Sequence, residues 1–325
     1  MRRRALITLI GGAVAWPVLA RAQNRHRIPR IAVLWHAASA DGEAPYFGSL
    51  IEGFEGLGYT EHKIAFEHRF PNEKPELFSA MAAELVASEP DVLIAVGGAA
   101  PYAKKATATI PIVFMYVPDP VGANLVESIR RPGGNATGLT NFSVELSAKR
   151  LEYLKEVVPT LSRVGLLINP SARISDLYVE QSNAAGPKLG LTTKAYPVRS
   201  VDELESAFDT MVTDGMQAVV INAESLFYLG KERIAQLALA RRLPTCVWVK
   251  EVLESGTLVS YGADQRAIAR RVANYVDRIL KGERAADIPV EQPTRFQLGI
   301  NLTTAKAPGL TVPPTLLARA DEVIE

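Results

Sequence analysis

The chain is predicted to be an α/β protein of two lobes, each a parallel sheet clad by helices, with the chain passing between the lobes three times. Three observations carry this expectation. From Arg30 onward, short apolar runs rich in β-branched residues alternate with longer helical segments, and unbroken runs of that kind mark strands covered on both faces. About ten such units are too many for one open sheet, and 325 residues with 48% apolar content exceed an ordinary single core. Finally, the turn-rich Arg131–Gly138, the run Leu258–Ala263 and the extended, proline-punctuated Ile288–Asn301 stand where crossings between lobes are expected.

Taken in order, Arg30–Ala37 (RIAVLWHA) reads as a strand and Tyr46–Leu57 as a helix that Gly58 stops. Lys63–Phe70 and Glu76–Ser88 repeat the pair. Strands follow at Asp91–Gly98, Ile110–Val117 and Ala136–Thr140, with helices at Ala100–Thr107 and Gly122–Arg130. Beyond the first crossing come the strands Arg163–Asn169, Lys194–Val198, Gln217–Asn222, Pro244–Val249 and Leu258–Tyr261. The helices Leu146–Val158, Val201–Thr213 and Lys231–Arg241 lie between them. The crossings divide the chain into one lobe of residues 23–138 with 259–286 and another of 139–258 with 287–325.

The amino end has the three-part layout of an export signal. Arg2, Arg3 and Arg4 precede an uncharged run from Ala5 to Ala20, and Ala20-Arg21-Ala22 offers a small-x-small cleavage point before Gln23. The run holds Gly11, Gly12 and Pro17 and is shorter than the ~20 residues of a membrane span. A mitochondrial presequence would be amphipathic, unlike this uninterrupted stretch. Arg3-Arg4-Ala5-Leu6-Ile7 matches part of the twin-arginine pattern, and the general secretory route is the alternative. No cysteine adjoins the cleavage point for lipid attachment, so a freely diffusing periplasmic product is expected.

The 36 basic and 35 acidic residues become 32 and 35 once Arg2, Arg3, Arg4 and Arg21 are removed with the signal. Such a body has no electrostatic reason to bind nucleic acid or an anionic membrane. The single cysteine, Cys246, excludes an internal disulfide and lies in the apolar run Pro244–Val249, which reads as a buried, inert thiol.

The chain contains no HExxH, CxxC or Gly-x-Ser-x-Gly, and GGAAPYAKK after the third strand is neither a dinucleotide fingerprint nor a phosphate loop. No cofactor or metal is expected. In open parallel sheets, ligands collect beyond the carboxyl ends of the strands. That rule selects His36, the turn Gly98-Ala99-Ala100 and Asp119 in the first lobe, and Asn169, Asn222, Glu224 and Trp248 in the second. Phe142 and Tyr261, beside the crossings, complete the candidates. Each has a plain structural alternative: turns or caps for Asp119 and Asn169, core packing for Trp248, Phe142 and Tyr261, and a solvated helix start for Glu224.

Several motifs then converge. The leader RRR…ITL.GG…WP.LARAQ is similar to that of exported solute-binding proteins. IPIVFMYVPDP (Ile110–Pro120), RPGGNATGLT (Arg131–Thr140), AKRLEYLKEVVP (Ala148–Pro159) and the carboxyl stretch Pro289–Glu325 follow in order. Together, over essentially the whole chain, they resemble the ABC transporter substrate-binding family that includes the tryptophan-type binding proteins. The resemblance implies a type I periplasmic-binding-protein fold: two doubly wound α/β lobes, three hinge crossings and a ligand held between the lobes. Aromatic amino-acid binders of that family usually offer a hydroxyl beside the glycine turn. Here Ala99 and Ala100 offer only backbone N–H groups.

The expected function is that of a non-catalytic, monomeric periplasmic receptor for a small organic solute, such as an amino acid or an aromatic or organic carboxylate. It would deliver its solute to ABC permease and ATPase subunits. The amides at Gly98–Ala100 would hold a carboxylate, and Trp248 or Phe142 would stack on an apolar moiety. A periplasmic ligand-binding sensor and an exported α/β hydrolase are the rival readings.

Overall fold

The computed structural model describes residues 27–325 apart from 45, 173, 307 and 308. The export signal and its cleavage point lie outside the described residues.

The first sheet has five parallel strands in the order β2-β1-β3-β4-β5. They are β1 (Arg30–Leu34), β2 (Ala65–Arg69), β3 (Val92–Val96), β4 (Ile112–Met115) and β5 (Ala136–Leu139). Their apolar runs serve both faces. Ile31, Val33, Ile94 and Val113 meet the helices Tyr46–Gly56 and Gln265–Leu280, while Ala32, Leu34, Leu93 and Phe114 meet Pro75–Ala87 and Ala100–Ala106. The Gln265–Leu280 helix starts where Asp264 Oδ1 accepts from Ala267 N at 3.0 Å, an ordinary N-cap. It crosses Tyr46–Gly56 at Gly53, where a Cβ would stand 2.3 Å from the Arg270 carbonyl oxygen.

The second sheet has seven strands in the order β12-β11-β10-β9-β8-β6-β7. They are β6 (Arg163–Ile168), β7 (Thr192–Pro197), β8 (Ala218–Ile221), β9 (Thr245–Val247), β10 (Val259–Ala263), β11 (Phe296–Asn301) and β12 (Glu322–Ile324). All neighbours are parallel except β10 and β11. Leu151 and Leu154 of Ser147–Val157 pack on Leu166, Val220 and Cys246. On the other face, Phe208, Met211 and Ile234 pack on Leu167, Val219 and Ile221.

Sheet membership moves the first two expected crossings and narrows the third, which lies within Ile288–Asn301. Ala136–Leu139 is still a strand of the first sheet, so the first crossing follows Leu139 instead of occupying Arg131–Gly138. Val259–Ala263 pairs on both sides within the second sheet, so the boundary before residue 259 moves to the Ala263–Asp264 junction. Residues 287–291, placed with the second lobe, belong with the first sheet. Thr140 N donates to the Glu291 carbonyl at 3.0 Å, Glu291 N to the Gly138 carbonyl at 3.0 Å, and Thr137 Oγ1 to the Ile288 carbonyl at 2.6 Å. The third crossing is therefore the short run between Glu291 and Phe296. The first expectation took a turn-rich stretch, and the second a strand paired on both sides, as the crossing itself.

Gly122–Arg130 is not a helix. Asp119 Oδ1 caps a first turn by taking the Gly122 N–H at 2.8 Å, but Asn124 has φ +56° and Glu127 N donates to the Pro132 carbonyl at 2.9 Å, so the segment closes into turns.

Candidate functional site

The carboxyl ends of the two sheets face each other, and the loops after β1, β2, β4 and β8 bring the polar groups. After β1, the wholly buried Glu43 carboxylate folds back. Its Oε1 accepts from His36 N at 3.0 Å and Ala37 N at 2.8 Å, which fixes the strand's exit. The same oxygen lies 3.4 Å from His36 Nδ1, and Glu73 Oε1, from the loop after β2, lies 3.2 Å away. Burial alone would push the imidazole down. The Glu43 and Glu73 carboxylates outweigh it and lift His36 to about 9.

Across the cleft, Asn222 is fully buried at the end of β8, and neither of its side-chain amide atoms has a partner. Two residues on, burial and then the nearby Glu73 charge push the Glu224 carboxyl up to about 8. Tyrosines join the lobes. Tyr46 OH donates to Glu251 Oε2 at 3.0 Å and Tyr228 OH to the Ala44 carbonyl at 3.1 Å. The Tyr46 ring lies 5.5 Å from Tyr116 and 5.9 Å from Tyr228. Glu73, Tyr116 and Phe142 hold φ values of +55°, +61° and +55°, left-handed conformations that cost energy in a side-chain-bearing residue and concentrate at ligand clamps.

The candidates therefore separate. His36 pairs with Glu73, whose charge also reaches Glu224 from the other lobe, and Gly97 at the third turn abuts the His36 ring, its hypothetical Cβ 3.8 Å from Cδ2. Gly98 faces open space, but the Ala99 and Ala100 side chains are in the first-lobe core and Ala100 N donates back to the Gly97 carbonyl. Asp119 is engaged by Gly122, and Asn169 Oδ1 accepts from Ser171 N at 3.0 Å, so both serve their own turns.

Phe142 and Tyr261 belong to an aromatic chain along the crossings. Phe142 lies 6.2 Å from Phe296, Phe296 lies 6.2 Å from Tyr261, and Tyr261 stands edge-on to Tyr153 at 4.9 Å. Trp248 is buried and borders a cavity of about 310 Å³ beside the second crossing, shared with Glu251, Asp264 and Arg266. This cavity lies at the hinge, apart from the His36–Glu224 cleft.

Sequence reasoning missed Glu43, Glu73, Tyr46, Tyr116 and Tyr228. It also missed Arg150, a fully buried guanidinium that pins the hinge. Arg150 Nε donates to the Tyr261 carbonyl at 2.9 Å and Nη1 to the Ser143 carbonyl at 2.9 Å.

Among the described residues no helix is long and apolar enough to cross a membrane, and no His, Cys, Asp and Glu cluster could hold a metal ion. Burial pushes the Cys246 thiol up to about 12.

Two α/β lobes joined by three crossings, with polar groups gathered at the facing strand ends, define a solute-binding protein of the type I periplasmic-binding-protein fold. Residues 30–324 match the family model for ABC transporter substrate binding proteins, and the chain belongs to that family. It is similar to a tyrosine-binding protein of Clostridioides difficile (strain R20291), 26% identical over 262 residues, which cover 79% of this chain and 74% of the relative. An ABC domain from Streptococcus pneumonia, solved in complex with L-Trp, superposes with a TM-score of 0.86 at 25% identity, covering 92% of this chain and all of that one. A conserved domain protein from Vibrio cholerae O1 biovar El Tor gives a TM-score of 0.86 at 26% identity, covering 91% of this chain and 100% of its own.

Proposed function

We propose that the mature chain is a non-catalytic, extracytoplasmic receptor for a small organic solute. In this reading it is the substrate-binding subunit of an ABC importer, closing on its solute and passing it to membrane permease and ATPase subunits. The observation that carries this reading is the set of buried polar atoms without partners on both walls of the cleft: Glu43 Oε2 and both amide atoms of Asn222. Each such atom costs about 1–3 kcal/mol, which a solute bound between the lobes would recover. Family membership and the L-Trp and tyrosine binding named for two relatives support an amino-acid-sized solute. Closure follows from differential affinity, since a solute touching both walls favours the state in which both are near.

The test is a thermal-shift screen of residues 23–325 against amino acids, aromatic amines and small carboxylates. A solute present at 100 times its Kd is expected to stabilise the protein by about 2.7 kcal/mol. A screen in which no small solute raises the Tm would remove the receptor reading, and turnover of a bound solute would replace it with an enzymatic one.

A further inference from the structure

The charges between the lobes do not balance. One imidazole, His36, is shared by the Glu43 and Glu73 carboxylates, and Glu224 brings a third carboxylate from the opposite lobe, within reach of the Glu73 charge. Among the described residues, no lysine or arginine forms an ion pair with any of the three. Carboxyl groups gathered away from water either take a cation partner or hold a proton, and Glu224 holds its proton.

The groups around them also await a partner. Asn222 is 0% exposed, precedes Glu224 by two residues and leaves both Oδ1 and Nδ2 unpaired, while Glu43 Oε2 is buried and unpaired on the facing wall. Tyr116 and Tyr228 lie within electrostatic reach of Glu43. Tyrosine faces attract cations and have no corresponding preference for carboxylates.

We propose that the cleft seats the ammonium group of an organic cation between Glu73 of the first lobe and Glu224 of the second, with the Asn222 amide oxygen as a further acceptor. This rests on the receptor reading above and names the charge of its solute. The seat is split between lobes and is complete only when they meet. Glu224, held protonated by burial and the Glu73 charge, gives up its proton when a cation enters, so the cation gains two carboxylates that only the meeting lobes bring together, and its binding energy goes into closure. A carboxylate of the same shape would add another negative charge and be turned away.

Two arms test this. The first titrates the mature protein with tyramine and with 3-(4-hydroxyphenyl)propionate, which share a ring and differ in charge. Tyramine is expected to bind and the propionate to bind at least about tenfold more weakly, with Glu224→Gln reducing tyramine affinity by about tenfold or more. The second arm needs no solute. Glu224→Lys places a tethered ammonium in the seat, and it is expected to raise the Tm and shrink the radius of gyration of the solute-free protein measured by X-ray scattering. A Glu224→Lys variant with native circular dichroism, a lower Tm and unchanged dimensions would overturn the seat. So would a propionate that binds where tyramine does not, although that result would leave the receptor reading standing. If neither probe binds, the Glu224→Lys result alone decides the seat, and the broad solute screen decides the receptor.

Discussion

His36 and Glu224 show how two ordinary ionisable residues acquire unusual proton affinities at strand ends. His36 rises from its reference value of 6.5 to about 9 because two carboxylates outweigh its burial. Glu224 rises from 4.5 to about 8 through burial and then the charge of Glu73. Both hold their proton more tightly folded than unfolded, so the stability they contribute is full below the unfolded values and is lost as pH rises through the folded ones. For Glu224 that window runs from 4.5 to about 8, and for His36 from 6.5 to about 9. The Tm of the solute-free protein is therefore expected to fall as pH is raised across these windows, with Glu224→Gln flattening the lower part. A Tm that climbs over the same interval would contradict both assignments. At this scale the placement of His36, Asn222 and Glu224 just beyond strand ends was legible because strand ends are predictable from apolar runs. Glu43 and Glu73 were not, since an acid in a polar loop looks solvated until the loop's path is known. Asp119 and Asn169 obeyed the strand-end rule too, but their side chains satisfy adjacent backbone instead of facing the cleft.

Elements are positioned by close approaches that single residues permit. Gly53 and Gly48 lie on the same helix, yet a Cβ at Gly53 would meet the Arg270 backbone at 2.3 Å while one at Gly48 would meet nothing within 4 Å. Gly53→Ala is expected to destabilise by about 1–3 kcal/mol through overpacking. Gly48→Ala should gain up to about 1 kcal/mol of helix propensity. Urea denaturation of the pair checks this, and equal effects would show that the helix crossing does not depend on Gly53. The helices and strands themselves were largely readable, because periodicity is a local signal. The false helix at Gly122–Arg130 failed for a local reason as well: Asn124 turns left-handed at φ +56°, which ends the first turn before a helix can propagate. The crossings were misplaced because pairing partners such as Leu139 and Glu291 are far apart in the chain, and no local pattern announces them.

For the molecule as a whole, the contacts between lobes decide how readily it shuts. Tyr46 is the joint, since its ring touches Tyr116 of its own lobe and Tyr228 of the other while its hydroxyl reaches Glu251. Glu251 is held in turn by Arg266 at 3.0 Å, so this contact ties the second lobe to the helix of the first. Tyr46→Phe keeps the ring and removes the donor. It is expected to cost the closed form about 1–2 kcal/mol, visible in X-ray scattering as a larger solute-free radius of gyration. Unchanged dimensions would mean that apolar packing alone holds the lobes together. Arg150, bonding both to the first crossing and to β10 beside the second, sets the pivot against which such opening works.

The helix Gln265–Leu280 covers the first sheet, although every strand of that sheet precedes it by more than a hundred positions. During translation, the face carrying Ile31, Val33, Ile94 and Val113 has only the helix Tyr46–Gly56 and must therefore wait for the rest of its cover until the second lobe's central strands have been made. A nascent chain stalled before residue 265 would present that apolar face to chaperones or to other nascent chains. The discontinuity that creates the hinge thus also delays the moment at which either half becomes safe from aggregation.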